Sequence, residues 1–164
     1  MKHQNGWLES AKFEARREGF YDYRDYLNSQ EIPITDLLEH FTSYVGHMSL
    51  NRMFTLYELY KLSKNVAGHI AEVGVYKGAG TLLFAKLVQI FESEALTQVH
   101  GFDWFKGTGK TGENDTALAP EGGYQSDYNH LMQLISRQKL DHIVRIHNLD
   151  LTKEIETFFD KYKH

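Results

Sequence analysis

His69-Ile70-Ala71-Glu72-Val73-Gly74-Val75-Tyr76-Lys77-Gly78-Ala79-Gly80-Thr81 passes from a short apolar run into spaced glycines and then into a helix-like stretch. It reads as a strand, a tight turn and a helix, with Glu72 placed where the strand ends. A strand feeding a glycine turn and a helix N-terminus is how a doubly wound sheet builds a ligand cradle, because missing side chains let a ligand reach backbone N–H groups. The glycine spacing sets one ligand class aside. A dinucleotide fingerprint is G-x-G-x-x-G, whereas Gly74, Gly78 and Gly80 form G-x-x-x-G-x-G behind an acid.

Further runs of the same kind end in acids. Gln98-Val99-His100-Gly101-Phe102-Asp103 follows a helix expected from about Thr81 to Glu92, and Trp104-Phe105-Lys106-Gly107 comes after it. Asp103 then stands at a strand's carboxyl end, either accepting from ribose hydroxyls, as an acid does in dinucleotide folds, or capping a turn. His142-Ile143-Val144-Arg145-Ile146-His147 is β-branched and alternating, and leads through Asn148-Leu149-Asp150 to a helix expected from Thr152 to about Tyr162. Asp150 is either a further ligand acceptor or the N-cap of that helix.

The acid-x-Gly-x-x-x-Gly turn from Glu72 to Gly78 resembles the first motif of class I S-adenosylmethionine-dependent methyltransferases. Glu-Val-Gly-Val-Tyr-Lys-Gly over residues 72–78 is similar to the variant found in macrocin O-methyltransferase-like enzymes. Gly-Phe-Asp-Trp-Phe-Lys-Gly over residues 101–107 is similar to that family's second motif, with Asp103, Phe105 and Gly107 at the matching spacing. By motif the likeness runs from about Ala67 to Asp150. It departs at Asn148, where a glycine is common, and at Trp104, where a Ser is typical.

The resemblance implies an α/β fold: a Rossmann-like parallel sheet, here its first half with strands ordered 3-2-1, together with N-terminal helices. Residues 1–66 would be a helical cap segment and 67–164 the cofactor-binding half. It implies a methyltransferase that binds S-adenosylmethionine and methylates a hydroxyl of a small molecule such as a sugar, the acceptor oxygen attacking the sulfonium methyl in line. Gly74, Tyr76 and Gly78 would lie along the methionine part, with Glu72 orienting its ammonium. Asp103, beside Trp104, would hold the ribose, and Asp150 would border the adenine. The catalytic base has no assignable position, and any divalent metal would depend on residues not in this chain.

The strands are few for such a sheet. An apolar first strand left at an edge invites pairing, so either a missing C-terminal half or a neighbouring copy is expected to cover it. The same incompleteness keeps an alternative open: a non-catalytic Rossmann-like binding or assembly module.

Gly107-Thr108-Gly109-Lys110-Thr111 invites a phosphate-loop reading. A Walker A loop needs a glycine where Trp104 stands, and its Lys-Thr should open a helix. Here Gly112-Glu113-Asn114-Asp115 and Ala119-Pro120-Glu121-Gly122-Gly123 follow, polar and turn-rich, so a surface loop is expected before a helix from Tyr124 to about Lys139.

The N-terminal third is helical in pattern. A helix is expected from about Glu9 to Glu18, another after Pro33 with Leu37, Leu38, Phe41 and Tyr44 inward, and a longer one capped by Ser49 that buries Leu50, Met53, Phe54, Tyr57 and Tyr60. The aromatics Phe20, Tyr21, Tyr23 and Tyr26 suit either packing or a lid over the acceptor pocket. Arg16-Arg17, flanked by Glu14 and Glu18, reads as a solvated helix face.

Composition narrows the remaining classes. The 164 residues suffice to bury about 70% of the unfolded chain's surface. There is no cysteine, which excludes disulfides, thiolate metal sites and thiol nucleophiles. The 18 Lys and Arg against 22 Asp and Glu leave a net charge of −4 without a dense basic block, which disfavours nucleic-acid binding. No apolar run reaches the roughly 20 residues of a membrane span, and Met1-Lys2-His3-Gln4-Asn5 begins no signal core, so a cytoplasmic location is the default expectation. The nine histidines show no metal-ligand spacing.

Overall fold

Helices and parallel strands alternate along the second half of the chain. In this computed structural model, residues 10–92, 94, 96–110 and 121–161 are described, with side chains from Glu18 onward. The expectations for residues 1–5, Glu9, Thr111, 112–115, Ala119, Pro120 and residue 162 lie outside the described residues, and those for Glu14, Arg16 and Arg17 concern side chains outside the described ones. The elements are α1 (Ser10–Asn28), α2 (Ile34–Glu39), α3 (Phe41–Tyr44), α4 (His47–Ser63), β1 (Ile70–Val73), α5 (Ala79–Phe91), β2 (Val99–Asp103), α6 (Tyr128–Arg137), β3 (Val144–Asn148) and α7 (Leu151–Lys161).

The chain divides into two compact units, Met1–Arg52 and Met53–His164, the division falling within α4. In the first unit, Tyr23 donates its hydroxyl to the Tyr44 carbonyl at 3.1 Å and Tyr44 donates its own to Asp36. The helix after Pro33 is two short pieces, and neither buries a residue: Leu38 is 73% exposed and Phe41 is also exposed, contrary to the inward face their spacing predicts. His40 breaks the run, so the helical register of Leu37 and Leu38 is not carried to Phe41. Phe20, Tyr21 and Tyr26 are exposed as well. Helix α4 begins two residues ahead of Ser49, where the Gly46 carbonyl accepts from the N–H groups of Ser49 and Leu50, so Ser49 lies inside the helix and not at its cap.

In the second unit, β1, β2 and β3 form a parallel sheet in that order, with Glu72 opposite Gly101 and Asp103 opposite Asn148. This is the expected 3-2-1 Rossmann-like sheet. Parallel neighbours need a crossover, supplied by α5 and α6. Helix α5 packs on all of the strands and α6 on β3. The core lies beneath them, built from Val75, Leu82, Ala85, Val88, Val99, Leu131, Ile135, Leu140 and Val144. Each of these side chains larger than alanine contributes about 1.5–3 kcal/mol by leaving water. Tyr60 of α4 joins this core, donating to the Leu87 carbonyl at 3.3 Å and to Glu92 at 2.5 Å; burial, then the Glu92 carboxylate, pushes its hydroxyl pKa up. Phe54, expected inward, is 63% exposed, since the buried stripe runs through Met53, Leu56, Tyr57 and Tyr60.

The two faces of the sheet differ. Residues alternate between them, so Glu72, Gly101 and Asp103 share the α5 side while Val73, His100, Phe102, Arg145 and His147 share the other. On that second face Phe158 of α7 meets Phe102 and His147 edge-on, but Val73 is 71% exposed. The first strand is therefore half-buried in alternation, and not buried on both faces as its apolar composition suggests.

Candidate functional site

The carboxyl ends of β1 and β2 lie side by side, and their exits form one constellation. After β1 the chain turns tightly: the Gly78 N–H donates to the Val75 carbonyl at 2.9 Å, and α5 starts at Ala79. Gly74 leaves the strand at φ +84, with nothing within 4 Å of where a Cβ would sit, so its backbone borders open space. Gly78 is different. It is buried at φ +85, and a Cβ there would approach Leu131 Cδ1 of α6 closer than 3.0 Å. Its missing side chain makes room for a core leucine. Gly80, in the first turn of α5, likewise makes room for the Glu72 carboxyl, whose Cδ lies 2.9 Å from the ideal Cβ position.

Glu72 accordingly points along the α5 face of the sheet toward the start of that helix. Its Oε2 accepts from the hydroxyl of Thr81, which is fully buried. An anion at a helix N-terminus is favourable, because the first N–H groups are unsatisfied there.

Asp103 joins the two strand exits. Its Oδ2 accepts the Tyr76 N–H at 2.8 Å and its Oδ1 accepts the Phe105 N–H at 2.8 Å. Both donors are non-glycine residues in the left-handed region, Tyr76 at φ +53 and Phe105 at φ +61, conformations that persist only where the surroundings hold them. The turn-cap role is thus present, and it leaves acceptor capacity, since a carboxylate offers about four lone-pair sites. Trp104 lies next to this carboxylate, half-buried, with its indole N–H donating to the Gly107 carbonyl and the Lys153 ammonium 5.8 Å from its ring centre.

Asp150 caps α7. Its Oδ1 accepts from the Thr152 N–H at 3.0 Å and the Thr152 hydroxyl at 2.6 Å, its Oδ2 pairs with Lys153 at 2.8 Å, and Glu154 reaches back to the Asp150 N–H at 2.9 Å. The Lys153 ammonium, with Thr152, holds its carboxyl below the ordinary Asp range. Of the two roles open to Asp150 in the sequence, the cap is the one seen.

The loop from Gly107 closes on itself. Thr108 donates to the Gly123 carbonyl at 2.7 Å and Gly122 donates to the Thr108 carbonyl at 2.8 Å, with α6 beginning only at Tyr128. Gly109 and Lys110 are themselves non-helical. The same loop brings in residues that the sequence pattern did not single out. The Ser126 hydroxyl donates to the Tyr76 carbonyl at 2.8 Å, and the 68% exposed Tyr124 meets the Tyr76 ring edge-on at 5.6 Å. No periodicity marks Ser126; its one cue is the polar stretch Tyr124-Gln125-Ser126-Asp127 just ahead of a helix.

A second cluster sits on the opposite sheet face. His100 Nδ1 and His147 Nε2 are 3.0 Å apart with their rings stacked, and His69 lies against His100. Burial lowers the pKa of both His100 and His147; His147, His69 and Arg145 add to this at His100, and Arg145 does so at His147. His100 Nε2 is buried without a partner. Among the described residues no group of three or more His, Asp or Glu is arranged to hold a metal ion, and no helix is long and apolar enough to cross a membrane.

No protein-family model and no curated protein sequence matches the chain. Solved structures do. A structure described as CalS11, calicheamicin methyltransferase, superposes with a TM-score of 0.76 at 18% identity, covering 88% of this chain and 62% of that one. An apo structure of CalS11, described as a TDP-rhamnose 3'-O-methyltransferase of calicheamicin biosynthesis, superposes with a TM-score of 0.65 at 19% identity, covering 88% and 60%. The chain thus has the Rossmann-like fold of these proteins and spans less than two thirds of their length.

Proposed function

We propose that this chain is the S-adenosylmethionine-binding part of a methyltransferase that acts on a hydroxyl of a small molecule, such as a sugar. One observation carries this: Asp103, at the tip of β2, meets the backbone of the β1 turn with acceptor capacity to spare, next to the open approach at Gly74. The group fits the residues present. An uncovered glycine at positive φ admits close approach to backbone, and a two-amide carboxylate still accepts from ribose hydroxyls. The likeness in fold to the CalS11 structures supports the choice of a methyl donor and of a hydroxyl acceptor.

In this proposal Gly74 and the peptide of Tyr76 line the methionine part, and Asp103 takes the ribose. The indole of Trp104 forms an apolar wall on the adenine side. Glu72, tied to Thr81, places negative charge near the ammonium from the α5 side. Gly78 and Asp150 act through the fold, one by admitting Leu131 and the other by starting α7. Bound adenosylmethionine would supply an electrophilic methyl group; the chain's own task is to bind and orient it and to keep water from the sulfonium. The outer edge of β1 and its exposed Val73 are proposed to pair with further polypeptide.

Calorimetry with adenosylmethionine, adenosylhomocysteine, NAD and ATP tests the proposal. Heat from the two sulfur ligands alone is the expected result. A folded sample that binds neither of them, or that prefers NAD or ATP, overturns it in favour of a non-catalytic module or another nucleotide site.

A further inference from the structure

The β1 and β2 exits are tied into a closed circuit of hydrogen bonds. Asp103 accepts from the N–H of Tyr76 and of Phe105, each at 2.8 Å. The Tyr76 carbonyl accepts from the Ser126 hydroxyl at 2.8 Å, and the Ser126 N–H returns to the Phe105 carbonyl at 3.3 Å. The ring therefore passes through the backbone of both left-handed residues, and Ser126 is the member that closes it from the loop ahead of α6. Phe105 is anchored besides, its buried ring packed edge-on against Tyr128. Tyr76 is half-buried, and its ring partner Tyr124 is exposed, so its backbone depends more heavily on the two side chains that grip it.

We propose that Ser126 is a positioning residue for the cofactor site, holding the Tyr76 peptide so that Asp103 keeps one orientation toward a ligand. The proposal rests on the adenosylmethionine reading above. Without the Ser126 hydroxyl, the Tyr76 carbonyl loses its side-chain donor and the left-handed turn is free to relax toward negative φ. That rotation takes the Tyr76 N–H away from Asp103, whose carboxylate then samples orientations that a ligand must reorder on binding.

The test uses the full chain as wild type, Ser126→Ala and Ser126→Thr, with adenosylhomocysteine affinity by calorimetry, urea midpoints, and amide hydrogen exchange at Tyr76. Expected for Ser126→Ala is an affinity about three- to tenfold weaker, the worth of one neutral hydrogen bond, with faster exchange at Tyr76 and a urea midpoint lowered by no more than the loss of that one bond. Ser126→Thr, which keeps the hydroxyl, restores affinity and protection. Wild-type affinity in Ser126→Ala overturns the proposal and leaves the cofactor reading standing. No binding by the wild type removes both. An Ala variant that loses its fold along with its affinity also overturns it, because Ser126 would then support the domain and not the site.

Discussion

Gly78→Ala isolates what the glycine turn contributes to the core. At φ +85 an alanine incurs roughly 1–2 kcal/mol of left-handed strain. Its Cβ would also enter the space of Leu131 Cδ1, and Leu131 is only 1% exposed, so relief requires α6 or its core neighbours to move. Overpacking of that kind costs about 1–3 kcal/mol, for a total of about 2–5 kcal/mol. Gly74→Ala supplies the control. It has nearly the same φ, +84, but nothing within 4 Å of its Cβ, so strain alone applies, at about 1–2 kcal/mol. Urea unfolding of both variants, with m unchanged, reads the difference as a midpoint shift. Trimming the obstacle with Leu131→Val should make the Gly78→Ala/Leu131→Val pair less destabilised than the sum of its parts by about 1 kcal/mol or more. Equal losses at Gly74 and Gly78, or strict additivity of the pair, would refute the claim that Gly78 is held by packing.

Two further outcomes follow from groups away from the turn. His100 and His147 have folded-state pKa values below the ordinary histidine value, so the unfolded chain binds more protons below about pH 6.5. Their contribution is therefore complete above that pH and is lost as pH falls through it toward the depressed values; thermal unfolding at pH 7 and pH 5 should show a drop that His147→Phe, which keeps the stacking, makes smaller, and an identical drop in both proteins would count against it. Asp127 caps α6 by accepting the His130 N–H at 3.1 Å, so Asp127→Ala should cost about 1 kcal/mol in urea unfolding while Asp127→Asn costs little; equal losses would remove the cap.

The strands were legible because each is a short β-prone run carrying a polar or acidic residue at or next to its end, Glu72, Asp103 and Asn148, and β1, β2 and β3 fall within two residues of the expected starts. Local patterns failed where tertiary context decides. Leu38, Phe41 and Phe54 have helical spacing, yet an amphipathic stripe does not say which of its flanking residues finds a partner. The alternation of β1 between covered and open faces depends on what packs on each side, and its composition alone resembles a doubly covered strand. In the candidate site, Asp103 and Gly74 stand out by position. Gly78 stands out in sequence as a ligand glycine, and only the structure adds that its missing side chain also leaves room for Leu131, as that of Gly80 does for Glu72. Ser126 is 50 residues from Tyr76, a separation that no local motif spans.

Amide shifts of the nitrogen-15-labelled chain under titration with adenosylhomocysteine address the central claim most directly. Binding at the joined tips of β1 and β2 predicts saturable changes at Gly74, Tyr76 and Phe105, with His69 and Arg145, at the far end or on the opposite face, little affected. Saturable changes confined to the His100 and His147 face, or none anywhere in a folded sample, would contradict it.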